Sequence, residues 1–112
     1  MNLFRIFRHP ADLQDLTPDE LYEKLSSHPV IIDVRTPREF ASGHIEGAVS
    51  VPLGKESTAG DRWPLGADVV LICKTGHRSQ AAAATLLERG FEHVSHLKGG
   101  MDAWRRTNKP MV

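Results

Sequence analysis

The run from Val69 to Ser79, Val-Val-Leu-Ile-Cys-Lys-Thr-Gly-His-Arg-Ser, constrains this chain more than any other segment. Four apolar residues, three of them β-branched, lead straight into the only cysteine, Cys73. A short loop containing Gly76 follows, and Ser79-Gln-Ala-Ala-Ala-Ala-Thr-Leu-Leu-Glu-Arg89 then reads as an alanine-rich helix. A buried strand, a tight loop and a helix start in direct succession put the Cys73 sulfur at the mouth of a cradle of main-chain N–H groups. The first turn of a helix leaves its amides without intrahelical partners, so such a cradle attracts an anion.

The loop chemistry points to a reactive thiolate. Thiols beside helix N-termini and cations have pKa values of roughly 3.5–7.5 in known cases. Lys74, His77 and Arg78 supply positive or potentially positive charge, and no acidic residue lies between Cys73 and Glu88. Gly76 sits where the chain must turn sharply and where a Cβ would obstruct a ligand. Ser79 suits the helix start, where a hydroxyl accepts an orphan N–H. With Cys73 as the nucleophile, the expected substrate-binding residues are Lys74, Thr75, Gly76, His77, Arg78 and Ser79. The rival reading is a structural cysteine at the end of a core strand, but such a residue has no need of a basic, glycine-containing loop directly after it.

The rest of the chain reads as alternating strands and helices. Thr17-Pro-Asp-Glu20 is a capping box with proline at the first helical position, predicting a helix to about Ser26. Val30–Val34 and Ala48–Val51 read as strands, with a short helix over Pro37–Ser42 between them, ended by Gly43. Residues 54–66 read as irregular, with a turn or weak helix. Gly90 marks a left-handed cap after the alanine-rich helix. Val94–Leu97 reads as a further strand and Gly100–Arg106 as the last helix. This order predicts an α/β domain, a central parallel sheet with helices on both faces. Ligands in such folds bind at the carboxyl ends of strands, where Cys73 stands.

At 112 residues the chain fits one small domain, divided as an N-terminal extension over 1–15 and the domain proper over 16–112. Its formal net charge is zero, so no broad field favours nucleic acid or an anionic membrane. One cysteine permits no internal disulfide and fits a reducing, cytoplasmic compartment. It also leaves no resolving thiol, so a cascade through an intramolecular disulfide, as in some arsenate reductases, is not available. No apolar run approaches the ~20 residues that span a bilayer. The first ten residues are apolar and basic, and Arg5 and Arg8 interrupt any signal-peptide core. Leu3, Phe4, Ile6 and Phe7 are expected to pack on the domain, with disorder or a membrane-touching anchor as the other readings.

Cysteine-dependent phosphatases resemble the loop pattern but carry one residue more, which widens the cradle for the three oxygens of a phosphoryl group. Here Cys73 to Arg78 makes six residues, a tighter ring that better suits one sulfur atom held as a persulfide. The chain resembles the single-domain rhodaneses, a family of sulfurtransferases, from Leu16 to Val112. The resemblance rests on Cys73-Lys-Thr-Gly-His-Arg-Ser79, Ile32-Asp-Val-Arg35, Glu39-Phe40, Gly43-His-Ile-Glu-Gly-Ala48, Pro52 and Leu97-Lys-Gly-Gly-Met-Asp-Ala-Trp104, in that order and spacing. It implies a rhodanese-like fold and a Cys73 persulfide that moves sulfur from thiosulfate or another small anionic donor to a thiol or cyanide. It implies no cofactor or metal, and leaves room for a sulfur-relay protein as partner, with neither nucleic acid nor membrane. It also implies that Asp33 and Arg35 support the site, Asp33 pairing with a loop arginine and Arg35 with Glu39. A persulfide relay between proteins, a non-catalytic interaction module, and a phosphatase or arsenate reductase of the same fold are the alternatives.

The remaining candidates are weaker. Lys74 and His77 are expected to splay outward around the mouth and attract the donor, while Arg78 binds the anion or stiffens the loop. His93 and His96 fall in a strand and should face opposite sides, which argues against a shared metal. His44 reads as a structural residue of its turn, and Met101 and Trp104 read as core contacts.

Overall fold

The structure, a computed structural model, describes residues 9–112. The expectations for Leu3, Phe4, Ile6 and Phe7 lie outside these residues. Five strands, β1 (Gln14–Leu16), β2 (Val30–Asp33), β3 (Val49–Ser50), β4 (Asp68–Ile72) and β5 (His93–Leu97), form one sheet in the order β1-β5-β4-β2-β3. All neighbouring pairs are parallel. The helices are α1 (Pro18–Lys24), α2 (Pro37–Ala41), α3 (Arg78–Glu88) and α4 (Gly100–Arg106). Among the described residues no helix is long and apolar enough to cross a membrane.

Successive side chains of a strand point to opposite faces, and the central strand β4 is apolar on both. Val69, Leu71 and, just past the strand, Cys73 pack with Ile32, Val34, Ala82, Ala83 and Leu86, so α3 covers this face. Val70 and Ile72 pack with Ile31, Leu21, Met101 and Trp104, so α1 and α4 cover the other. The expected doubly covered parallel sheet is therefore present. The alanines of α3 are there because a small face lets the helix lie close on the strand that delivers the cysteine.

Several boundaries differ from the sequence reading. The edge strand β1 was not anticipated, and the expected boundary at residue 15 falls inside it. Helix α1 has the capping box of Thr17 and Glu20 but ends at Lys24. A 3-10 turn, Leu25–Ser27, follows it and closes on His28 at φ 55°. A second 3-10 segment, Glu56–Asp61, occupies the irregular stretch. The chain reverses after α3 at Gly90, φ 98°, a left-handed conformation. Thr36 and Glu39 form a second capping box at the start of α2.

Candidate active site

Strand β4 is buried from Val69 onward and ends one residue before Cys73, whose side chain is fully buried. The Gly76 N–H donates to Cys73 Sγ at 2.9 Å, closing the loop over the sulfur. Gly76 is buried at φ 98°, while Lys74, Thr75 and His77 are exposed. The rim therefore splays outward as anticipated, but the sulfur lies beneath the loop and not at an open mouth. Gln80 Nε2 donates to the Gly76 carbonyl at 3.1 Å and ties the loop to the first turn of α3. Lys74 pairs with Asp102 at 3.2 Å, and Thr75 Oγ1 lies 3.0 Å from His77 Nδ1.

The loop rests on the start of α4. The Met101 and Asp102 N–H groups donate to the carbonyls of Cys73 (2.8 Å) and Lys74 (3.0 Å). This contact requires Gly100, where a Cβ would lie 2.4 Å from Lys74 C and O and 2.5 Å from Cys73 O. A Cβ on Gly76 would in turn meet the Gly99 N at 3.1 Å. The pair Gly99-Gly100 is thus a backstop that fits directly under the cysteine loop.

Three sequence expectations need correction. Ser79 does not cap α3. The N-cap is His77, without a side-chain cap, and Ser79 sits one position into the helix, fully buried. Its hydroxyl is drawn inward because it faces two buried polar groups: Cys73 Sγ donates to Ser79 Oγ at 3.3 Å, and Ser79 Oγ lies 2.7 Å from His96 Nδ1. Second, Asp33 does not pair with a loop arginine. Two residues apart at the end of β2, Asp33 and Arg35 leave the strand on the same side and pair with each other. Arg35 Nη2 donates to Asp33 Oδ2 at 2.8 Å, and both side chains are almost wholly buried. Arg35 Nη2 also donates to the Gly43 carbonyl at 2.8 Å, fastening the turn after α2. Third, Arg35 does not pair with Glu39, because Arg78 takes that carboxylate. Arg78 Nη1 and Nη2 donate to Glu39 Oε1 and Oε2 at 2.7 and 2.8 Å, a bidentate fork. The Arg78 bond holds Glu39 at about 2, well below its ordinary range, against a smaller opposing effect of burial. Arg78 therefore stiffens the loop against α2.

Sequence reasoning missed a polar line behind the cysteine. His93 is exposed and His96 buried, on opposite sides of β5 as expected. His96 faces α3, and its Nε2 lies 2.6 Å from Asp15 Oδ1 on β1. His9 Nε2 reaches the same oxygen at 2.6 Å. Burial pushes His96 below its ordinary value, opposed only in part by Asp15. Burial pushes Asp15 up, but the hydrogen bonds from His9 and His96 outweigh it and leave the carboxyl lowered. The available signal was period-two alternation: with His93 outward, His96 had to point in. Elsewhere His44 stacks on Phe40 at 3.7 Å and bonds its carbonyl through Nδ1 at 2.9 Å, while Met101 and Trp104 are fully buried.

A single cysteine at the carboxyl end of a central parallel strand, roofed by a six-residue loop that runs into a helix, defines a compact α/β domain built around one sulfur atom. The chain belongs to the Rhodanese-like domain family, whose profile matches residues 17–107. It is 37% identical over 83 residues to a sulfurtransferase of Allochromatium vinosum, covering 74% of this chain and 78% of that one. It is 35% identical over 100 residues to the thiosulfate sulfurtransferase GlpE of Stutzerimonas stutzeri, covering 87% and 89%. Among solved structures it is similar to a Rhodopseudomonas palustris protein of unknown function described as a possible tyrosine phosphatase. That likeness has a TM-score of 0.82 at 29% identity and covers 96% and 91% of the two chains. Family and relatives together support sulfurtransferase activity of the rhodanese type.

Proposed function

We propose that the protein moves a sulfane sulfur from thiosulfate, or another small anionic donor, to a thiol or cyanide through a persulfide on Cys73. The observation that carries this reading is the Gly76 N–H at 2.9 Å from Cys73 Sγ in a loop of only six residues. The Cys73 thiolate attacks the outer sulfur of thiosulfate, forming the S–S bond of the persulfide. The sulfur–sulfur bond of the donor breaks, and its electron pair leaves with sulfite. The acceptor then attacks the outer sulfur and returns the thiolate, giving double-displacement kinetics. Inward amides stabilise the charge on the outer sulfur. Because the sulfur is buried, the exposed rim of Lys74, Thr75 and His77 must part to admit the donor, and Lys74 and His77 attract it. No cofactor or metal takes part, the acceptor thiol can belong to a relay protein, and the compartment is reducing and cytoplasmic.

Phosphoryl chemistry fits less well. The bidentate fork of Arg78 faces Glu39, so the guanidinium is held toward α2 by a carboxylate and would have to leave it to clamp phosphoryl oxygens with both terminal nitrogens. Incubation with thiosulfate should add the mass of one sulfur to the wild type and none to Cys73→Ser. Thiosulfate:cyanide activity retained by Cys73→Ser, or robust aryl phosphate hydrolysis without sulfur loading, would overturn the reading.

A further inference from the structure

We propose that Ser79, His96 and Asp15 form a proton relay that takes the proton of the Cys73 thiol and delivers it to the edge of the sheet. The inference rests on the reading of Cys73 as a nucleophile. Cys73, Ser79 and His96 are all almost completely inaccessible, at 0%, 0% and 2%, so a proton leaving the sulfur has no direct route to water. Hydrogen-bond bookkeeping fixes the direction of the line. The Asp15 carboxylate, held below its ordinary range by two imidazoles, can only accept, so His96 Nε2 carries the hydrogen. Neutral His96 then accepts at Nδ1, the Ser79 hydroxyl donates to it, and the same oxygen accepts the S–H of Cys73.

The step balances. The S–H proton passes to Ser79 Oγ while the Ser79 hydroxyl proton passes to His96 Nδ1. A thiol and a neutral imidazole become a thiolate and an imidazolium, and the Ser79 hydroxyl now points its hydrogen at the sulfur. The Asp15 carboxylate stabilises the imidazolium, and its half-exposed side chain connects the line to solvent. The groups facing His96 are Asp15 from β1, His9 from the segment before it, and Ser79 from α3, with Cys73 beyond Ser79. Burial keeps His96 neutral and therefore able to accept. Ser79, His96 and Asp15 are positioning and proton-transfer residues, distinct from the Gly76 N–H that bonds the sulfur.

The test is the ultraviolet absorbance of the thiolate against pH, taken as the difference from Cys73→Ser, which needs no donor and no access to the buried sulfur. An opposite charge at this range commonly shifts a protonation equilibrium by 1–3 units. In His96→Asn, the thiolate signal at neutral pH should therefore fall about tenfold or more. Asp15→Asn, a change on the exposed edge that preserves shape, should lower it several-fold and move its onset. It decides the matter alone if His96→Asn does not fold. Ser79→Ala should resemble His96→Asn. A wild-type thiolate profile in Asp15→Asn and in the folded His96 variant would overturn the relay. Sulfur loading of the wild type by thiosulfate, read by mass, is measured separately, so failure of the sulfurtransferase reading leaves the absorbance result to decide the relay by itself.

Discussion

Replacing Gly100 by alanine should cost more stability than its size suggests, because the new methyl group meets main chain, not a side chain that could rotate away. Its Cβ would sit 2.4 Å from Lys74 C and O and 2.5 Å from Cys73 O, about 1 Å inside ordinary van der Waals contact. The start of α4 must therefore retreat from the cysteine loop. That retreat breaks the Met101 and Asp102 N–H bonds to the Cys73 and Lys74 carbonyls, worth about 1 kcal/mol each. The left-handed backbone at Gly100, φ 60°, adds about 1–2 kcal/mol for a residue with a Cβ. The expected loss is about 3–5 kcal/mol, a large part of the ~5–15 kcal/mol that holds a domain together. It corresponds to a fall in Tm of about 15–25 °C. Urea unfolding of Gly100→Ala beside Gly60→Ala measures it. Gly60 has an ordinary φ and nothing within 4 Å of a built Cβ, so its replacement should stay within about 0.5 kcal/mol of the wild type. A loss below about 1 kcal/mol at Gly100 would refute the idea that the glycine pair exists to let α4 touch the loop.

Other outcomes follow from the same contacts. Glu39, held at about 2 by Arg78, has a folded value below its unfolded one. Its contribution is therefore complete above the ordinary carboxylate range and is lost as pH falls from about 4.5 toward about 2. Both partners are near one-third exposed, so the pair is worth only about 1 kcal/mol. Acid titration of stability should show this loss in the wild type and not in Glu39→Gln. Arg35→Met should cost about 3–5 kcal/mol by denaturant unfolding, because it strands the buried Asp33 carboxylate; a cost under about 1 kcal/mol would show that Asp33 finds another partner. Inserting one glycine between Gly76 and His77 should widen the ring of amides and lower sulfur transfer more than tenfold, a loss of about 1.4 kcal/mol or more in transition-state stabilisation. Unchanged transfer by the insertion variant would remove loop length as the reason for preferring sulfur.

Most of the fold was legible because its signals are local. The run Val69–Ile72, bounded by the loop, could only be a core strand. Thr17-Pro-Asp-Glu20 announced α1, and the start and end of α4 at Gly100 and Arg106 match their expected places. Strand β1 was not legible. Gln14-Asp-Leu16 has no apolar alternation, and it is a strand only because β5 offers it an edge: Gln14, Asp15 and Leu16 stand beside Ser95, His96 and Leu97. Propensity says nothing about a three-residue segment whose hydrogen bonds come from elsewhere.

The site divides along the same line. The loop that surrounds the sulfur is contiguous, so the run from Cys73 to Arg78 could be placed from spacing, though not the inward turn of the Ser79 hydroxyl. The groups that support it are far apart in the chain, with Glu39 and Arg78 separated by 39 positions and Asp15 and His96 by 81. Residue types did not determine which arginine would take which carboxylate. The backbone decided it, sending Arg35 inward beside Asp33 and leaving Glu39, already fixed by its cap on α2, open to the loop. His96 shows how far a sequence argument could have gone. Alternation along β5 turns it toward α3, where a buried imidazole needs a polar partner on each nitrogen. Ser79, itself buried at the start of α3, was a candidate for one of them. The other required the strand order β1-β5-β4, because only that order sets Asp15 next to His96 and completes a polar line from the buried sulfur to the edge of the sheet.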